Sequence, residues 1–211
     1  MQIPPMRRVV PILALLGLGL WLAIAGIEGH GPFANAASRH LRAMKDRTGP
    51  PPACQEQTFA SIAALPANRP LAEFAPLENQ GASVVGYVRS LEHARDGDLH
   101  LAFVAEPQRG RGRGHGYWSA EITPVWRQGS ATWTFERLAE AFGLDRSGRS
   151  TAAVRLQRVR LSGWLLYDYL YDALPAWVFD RADRVTGWEI HPVTRIELWD
   201  EGRQAFVELP R

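Results

Sequence analysis

Two short motifs hold the residues best suited to chemistry: Gly97-Asp98-Leu99-His100-Leu101 and Trp188-Glu189-Ile190-His191-Pro192. In each, a carboxylate and an imidazole stand two positions apart. On a β-strand such residues point to the same side, roughly 7 Å from one another. If a strand carrying Glu121 lies between the two motifs, Asp98, His100, Glu121, Glu189 and His191 meet on neighbouring strands about 4.8 Å apart. Two imidazoles and up to three carboxylates are a ligand set for zinc, manganese or iron, so a divalent transition metal is the cofactor they imply. One use of such a set is metal-assisted hydrolysis, in which the ion lowers the pKa of a bound water. The other is a ladder of charge-assisted hydrogen bonds that ties the strands together. The spacing is less specific than His-Glu-x-x-His, and both uses stay open.

A second set lies in Arg109-Gly110-Arg111-Gly112-Arg113-Gly114-His115-Gly116, followed by Tyr117 and Trp118. Glycine removes side-chain obstruction, and the arginines could fork onto phosphates or acidic sugars. The two aromatic residues offer stacking surfaces. Arg109, Arg111, Arg113, Tyr117 and Trp118 are therefore candidate ligand-binding residues for an anionic polymer; the plainer reading is a solvated hairpin tip. Lys45 is the one lysine beside many arginines, a bias that GC-rich codons also produce, and a net charge of +2 does not by itself argue for nucleic acid.

These residues need strands to position them. Period-two patterning predicts strands over Ser83–Leu91, Asp98–Ala105, Gly116–Thr123, Arg155–Tyr167 and Trp188–Trp199. Arg95-Asp96-Gly97-Asp98 reads as a turn, Phe135–Phe142 as a helix closed by Gly143, and Pro192 as a bulge or an edge. Strand, strand, strand, helix, strand, strand is the order of a small five-stranded OB-like barrel with one helix, in a mainly β chain. An open α+β sheet is the alternative. Glycine in the first and fourth strands suits sharp coiling. The segment 168–187, rich in aromatics and aspartate, reads as a cap or binding rim.

The two histidine motifs resemble those of uncharacterised bacterial exported proteins with an OB-like domain. In that group a Gly-Asp-x-His strand precedes a Trp-Glu-x-His-Pro strand, with a Val-x-Gly or similar strand between, here Leu161-Ser162-Gly163. The resemblance covers roughly Ser83 to Leu198. It implies an exported β-domain and brings no activity with it.

Ahead of the domain, Arg7 and Arg8 precede an uncharged run from Val9 to Ile27. About nineteen helical residues span roughly 28 Å, close to the thickness of a bilayer's hydrocarbon core. Residues 1–27 thus read as a signal anchor, or as a signal peptide cleaved after Ala23-Ile24-Ala25. The membrane is the partner of residues 9–27. The domain is expected in the periplasm, held at the inner membrane or released if the signal is cleaved. Residues 28–82 form a Pro-rich linker and lead-in, and 83–211 the domain. The lone Cys54 excludes an internal disulfide and Cys-x-x-Cys chemistry. Neither a Gly-x-Ser-x-Gly elbow nor a Walker loop occurs, and no small-molecule substrate is identifiable. Three functions follow: a membrane-tethered binding domain for an anionic ligand or protein partner, a metal-dependent hydrolase, or a structural scaffold.

Overall fold

The structure, a computed structural model, describes residues 34–107, 116–147, 150–155, 157–173 and 183–211. The expected anchor at 9–27 and the arginines 109, 111 and 113 lie outside the described residues. Among the described residues, no helix is long and apolar enough to cross a membrane. Two compact units are present, Met1–Ala43 and Met44–Arg211, and the second holds every strand.

The described residues hold nine strands: β1 (Cys54–Gln57), β2 (Gly81–His93), β3 (Leu99–Val104), β4 (Tyr117–Ile122), β5 (Leu144–Ser147), β6 (Ser150–Ala153), β7 (Arg158–Tyr167), β8 (Arg184–Asp200) and β9 (Ala205–Glu208). The helices are α1 (Ala36–Lys45), α2 (Phe59–Ala63), α3 (Ala75–Glu78), α4 (Pro124–Arg127), α5 (Phe135–Ala141) and α6 (Tyr169–Ala173). Five strands close a ring. Strand β2 pairs antiparallel with β3 and with β7, β3 with β4, and β7 with β8; β4 and β8 run parallel and complete the circuit. These five are the strands that period-two patterning picks out. Strand β1 adds to β2 in parallel, β9 to β8, and the β5–β6 hairpin touches β2 at one residue pair.

Alternation along the ring strands sorts the side chains. Leu99, Leu101 and Phe103 of β3, Trp118, Ala120 and Ile122 of β4, and Trp188 and Ile190 of β8 enter one core with Val84, Leu161 and Leu165. Helix α5 contributes Leu138, Ala139 and Phe142; it is capped by the Thr134 hydroxyl and ends at Gly143, whose φ of +70° is in the left-handed region. Ile62 and Phe74, from the lead-in, are also core residues, and Phe59 stacks on Phe103 at 5.6 Å. A chain cut at Ser83 would lose them, together with β1.

Strand β8 slips register against β7 around Pro192, between the pairs Gly163↔Val193 and Leu165↔Ile190. A Cβ on Gly163 would fall on the Pro192 carbonyl oxygen, so glycine lets the two backbones approach there. This irregularity sits just past His191.

Candidate functional site on the outer strand face

Because Leu99, Leu101, Trp118, Ala120, Trp188 and Ile190 face the core, their neighbours His100, Tyr117, Glu121, Glu189 and His191 lie on the opposite face of β3, β4 and β8. Cross-strand register sets His100 opposite Glu121, and Ser119 opposite Glu189. Asp98 precedes β3, at the end of a turn in which Ala94 N donates to Asp98 O at 2.9 Å and Gly97 has φ +93°.

His191 is the centre of the site and is 0% exposed. Its Nδ1 is 2.8 Å from Glu189 Oε1 and 3.6 Å from Glu121 Oε2. Its Nε2 lies 3.1 Å from Asp98 Oδ2, an ion pair when the ring is protonated, and forms no hydrogen bond of good geometry among the described residues. Donor atoms of Asp98, Glu121 and His191 all lie within 4.8 Å of one another.

Residues not foreseen from the motifs complete the cluster. Arg184 Nη2 donates to the second Glu189 oxygen at 3.0 Å, and its Nη1 to Asp168 Oδ2 at 3.2 Å. Backbone carbonyls of Thr186 and Gly187 also hold that guanidinium, which lies 4.8 Å from the Tyr171 ring. Lys45 Nζ reaches Asp96 Oδ2 at 2.9 Å and Asp98 Oδ2 at 3.8 Å. The segment after Lys45 is fixed by two indoles: Trp126 Nε1 donates to Arg47 O and Trp164 Nε1 to Gly49 O, both at 2.8 Å. The Arg47 guanidinium lies 4.3 Å over the Trp164 ring. The chain's one lysine, among so many arginines, was the signal in the sequence for this position. Nothing comparable marks Asp168 or Arg184.

The electrostatics are uneven. Burial, then the neighbouring Glu189, pushes the Glu121 carboxyl up to about 8. Burial works to raise Glu189 as well, but the His191 hydrogen bond and Arg184 outweigh it and hold this carboxyl down at about 2. Burial opposes a charge on His191, yet Glu121, Asp98 and Glu189 bring its pKa up to about 10. His100, half-buried and edge-on to Tyr117 at 6.1 Å, is pushed down to about 4 by burial and by Arg184. It is a neutral imidazole at the rim. Burial opposes the Lys45 ammonium, but Glu121 and Asp96 hold its pKa above the ordinary lysine value.

The structure thus gathers Asp98, Glu121, Glu189 and His191 tightly, with His100 beside Glu121 across the strands. It separates the two aromatic candidates. Tyr117 stays half-buried on this face, under the Arg89 guanidinium at 4.9 Å. Trp118 turns into the core at 1% exposure, its indole N–H bonded to Trp188 O, so it offers no stacking surface. No protein-family model, curated protein or solved structure matches this chain.

Proposed function

We propose that the chain is a membrane-tethered, extracytoplasmic OB-like domain that binds an anionic ligand or protein partner through the arginine–glycine segment between β3 and β4. The observation that carries this reading is the five-strand ring closed by the parallel β4–β8 pair. Strands two and three of OB barrels, flanked by the loops after strands one and four, bind oligonucleotides and oligosaccharides. The corresponding flanks here are the β2–β3 turn with Asp96 and the β7–β8 connection with Asp168 and Arg184. The analogy concerns fold alone. Chemistry adds to it: Arg109, Arg111 and Arg113 lie in sequence between β3 and β4, and Tyr117, at the start of β4, packs under the Arg89 guanidinium. The tether and the periplasmic location rest on Arg7, Arg8 and the apolar run at 9–27.

The test uses the full chain in detergent and a fluorescent single-stranded oligonucleotide as the anionic probe. Three arginine contacts predict an affinity loss of roughly 20-fold between about 50 and 200 mM salt. The triple variant Arg109→Ala, Arg111→Ala, Arg113→Ala is expected to abolish that slope. Absent or salt-indifferent binding would count against an anionic polymer and turn attention to a protein partner.

Metal-assisted hydrolysis is the second reading. The grouping of Asp98, Glu121 and His191 favours it, since three protein donors would leave an ion a coordination position at which water is activated.

A further inference from the structure

We infer that Asp98, Glu121 and His191 form a binding site for one divalent transition-metal ion, with Glu189 as the residue that orients the imidazole. The inference goes beyond the anionic-polymer reading and does not depend on it.

A cluster of acids alone would not identify a metal site, because carboxylates gather around arginine and lysine in many proteins. Two features separate this one. First, His191 is fully buried, and its Nε2 faces Asp98 Oδ2 at 3.1 Å without forming a hydrogen bond of good geometry among the described residues. A buried imidazole nitrogen whose only neighbour is a poorly placed carboxylate carries a desolvation cost. Nδ1, by contrast, is committed to Glu189 Oε1 at 2.8 Å. A carboxylate on Nδ1 fixes the neutral ring as the Nδ1–H tautomer and leaves the Nε2 lone pair for a metal. Second, the donors are spaced for one ion. Metal–ligand distances near 2.1 Å put two donors of a tetrahedral ion about 3.4 Å apart. His191 Nε2 and Asp98 Oδ2 are already 3.1 Å apart, Glu121 Oε2 lies 3.6 Å from the other ring nitrogen, and one donor atom from each of the three residues falls within a 4.8 Å group.

The carboxylates of Asp96, Asp98, Glu121, Asp168 and Glu189 and the cations Lys45 and Arg184 surround the imidazole. Arg184 is held by Asp168, Glu189 and two backbone carbonyls, so it is not free to move onto Asp98. The Lys45 ammonium is the movable one. It bonds Asp96 more closely than Asp98, and an ion on Asp98 would leave it on Asp96. One nitrogen and two carboxylates, without thiolate, suit zinc or manganese, and three protein donors leave room for water.

The experiment takes the full chain in detergent, purified without affinity histidines and stripped with chelator. It is titrated with Zn²⁺ or Mn²⁺ by calorimetry and then analysed for elemental content. About one equivalent is expected. Glu189→Gln should weaken binding roughly 10- to 100-fold while keeping the stoichiometry, as loss of an orienting carboxylate does. Asp98→Asn and Glu121→Gln, which change charge with little change of shape, should weaken it further. The Arg109/Arg111/Arg113→Ala triple variant should bind metal as the parent does, which separates this inference from the polymer reading. If the ligand variants fail to fold, electron paramagnetic resonance of Mn²⁺ on the parent chain decides. Hyperfine coupling to one imidazole nitrogen supports the site. No coupling, no stoichiometric metal, or affinity unchanged in folded Asp98→Asn overturns it.

Discussion

Strand β8 carries charged clusters at both of its ends, and the two are built differently. Toward its C-terminal end, Glu197 meets Arg160 at 3.5 Å and Arg195 at 3.3 Å, and Arg195 meets Glu208 at 2.9 Å. Arg195 and Glu208 are about half exposed, with side-chain accessibilities of 51% and 57%. Arg160 Nε lacks a hydrogen bond, but its guanidinium lies 4.1 Å over Phe206. Cations and carboxylates balance in pairs across β7, β8 and β9, as in an ordinary cross-strand ladder. At the other end Asp98, Glu189 and His191 are all buried, and Nε2 of His191 faces Asp98 at 3.1 Å without a hydrogen bond of good geometry. A ladder exposed at Arg195 and Glu208 and buried only at Glu197 costs little to keep. A cluster buried at its centre is costly unless its contacts are completed, and that contrast marks the second cluster as the functional candidate.

The largest expected effect comes from breaking the buried end. Glu189→Ala removes the partner of His191 Nδ1 and one of the two carboxylates on Arg184. Truncating one member of a buried charge network leaves its partners uncompensated, and the expected loss is about 3–5 kcal/mol. Urea denaturation of the metal-stripped full chain measures it. A loss near that of an exposed pair would mean the two ends of β8 are alike in kind.

A smaller effect, reversible and without mutation, comes from pH. Glu189 has its folded pKa lowered to about 2 from the ordinary 4.5, so its contribution is present above 4.5 and fades as pH falls toward 2. His191 is raised to about 10 from 6.5, so its contribution is full below 6.5 and is lost as pH rises through 10. Glu121 is raised to about 8 from 4.5, so it too favours folding less as pH rises through 8. The metal-stripped protein is expected to be most stable near pH 4.5, to weaken above it as Glu121 gives up its proton in the unfolded chain, and to weaken further from pH 6.5 toward 10 as His191 does. Melting temperatures across that range check this, and an alkaline limb that stays flat in the parent would show the cluster to be uncoupled from folding.

Much of this contrast was legible beforehand. The five ring strands announced themselves because their apolar residues alternate: Leu99, Leu101 and Phe103 against His100, for example. The motifs point Asp98, His100, Glu121, Glu189 and His191 toward one face, since a period of two fixes sidedness. Trp118 shows the limit of reading composition without period: next to an arginine-glycine stretch it suggests stacking, while its parity with Ala120 and Ile122 puts it in the core. Strands β1, β5, β6 and β9 were missed because four residues such as Cys54–Gln57 are too short to show alternation, and their pairing depends on what lies beside them. Arg184 and Asp168 were missed for a related reason. Their partners are distant in sequence or set by the path of the chain around β8, and no local pattern encodes that path.

The smallest effect is expected at the exposed end. Arg195→Ala deletes the ion pair to Glu208 and one of two contacts to Glu197, which keeps Arg160 at 3.5 Å. Pairs in this degree of exposure contribute roughly 0.2–1 kcal/mol, because solvent screens the charges and ordering long side chains opposes the attraction. The parent and the variant should therefore differ by no more than about 1 kcal/mol in urea, and the gap should narrow as salt is raised. Metal affinity should not change, since Arg195 touches none of Asp98, Glu121 or His191. A loss of several kcal/mol that survives high salt would instead show that β9 is held to the ring by Arg195. The C-terminal end of β8 would then carry structural weight that its exposure does not suggest.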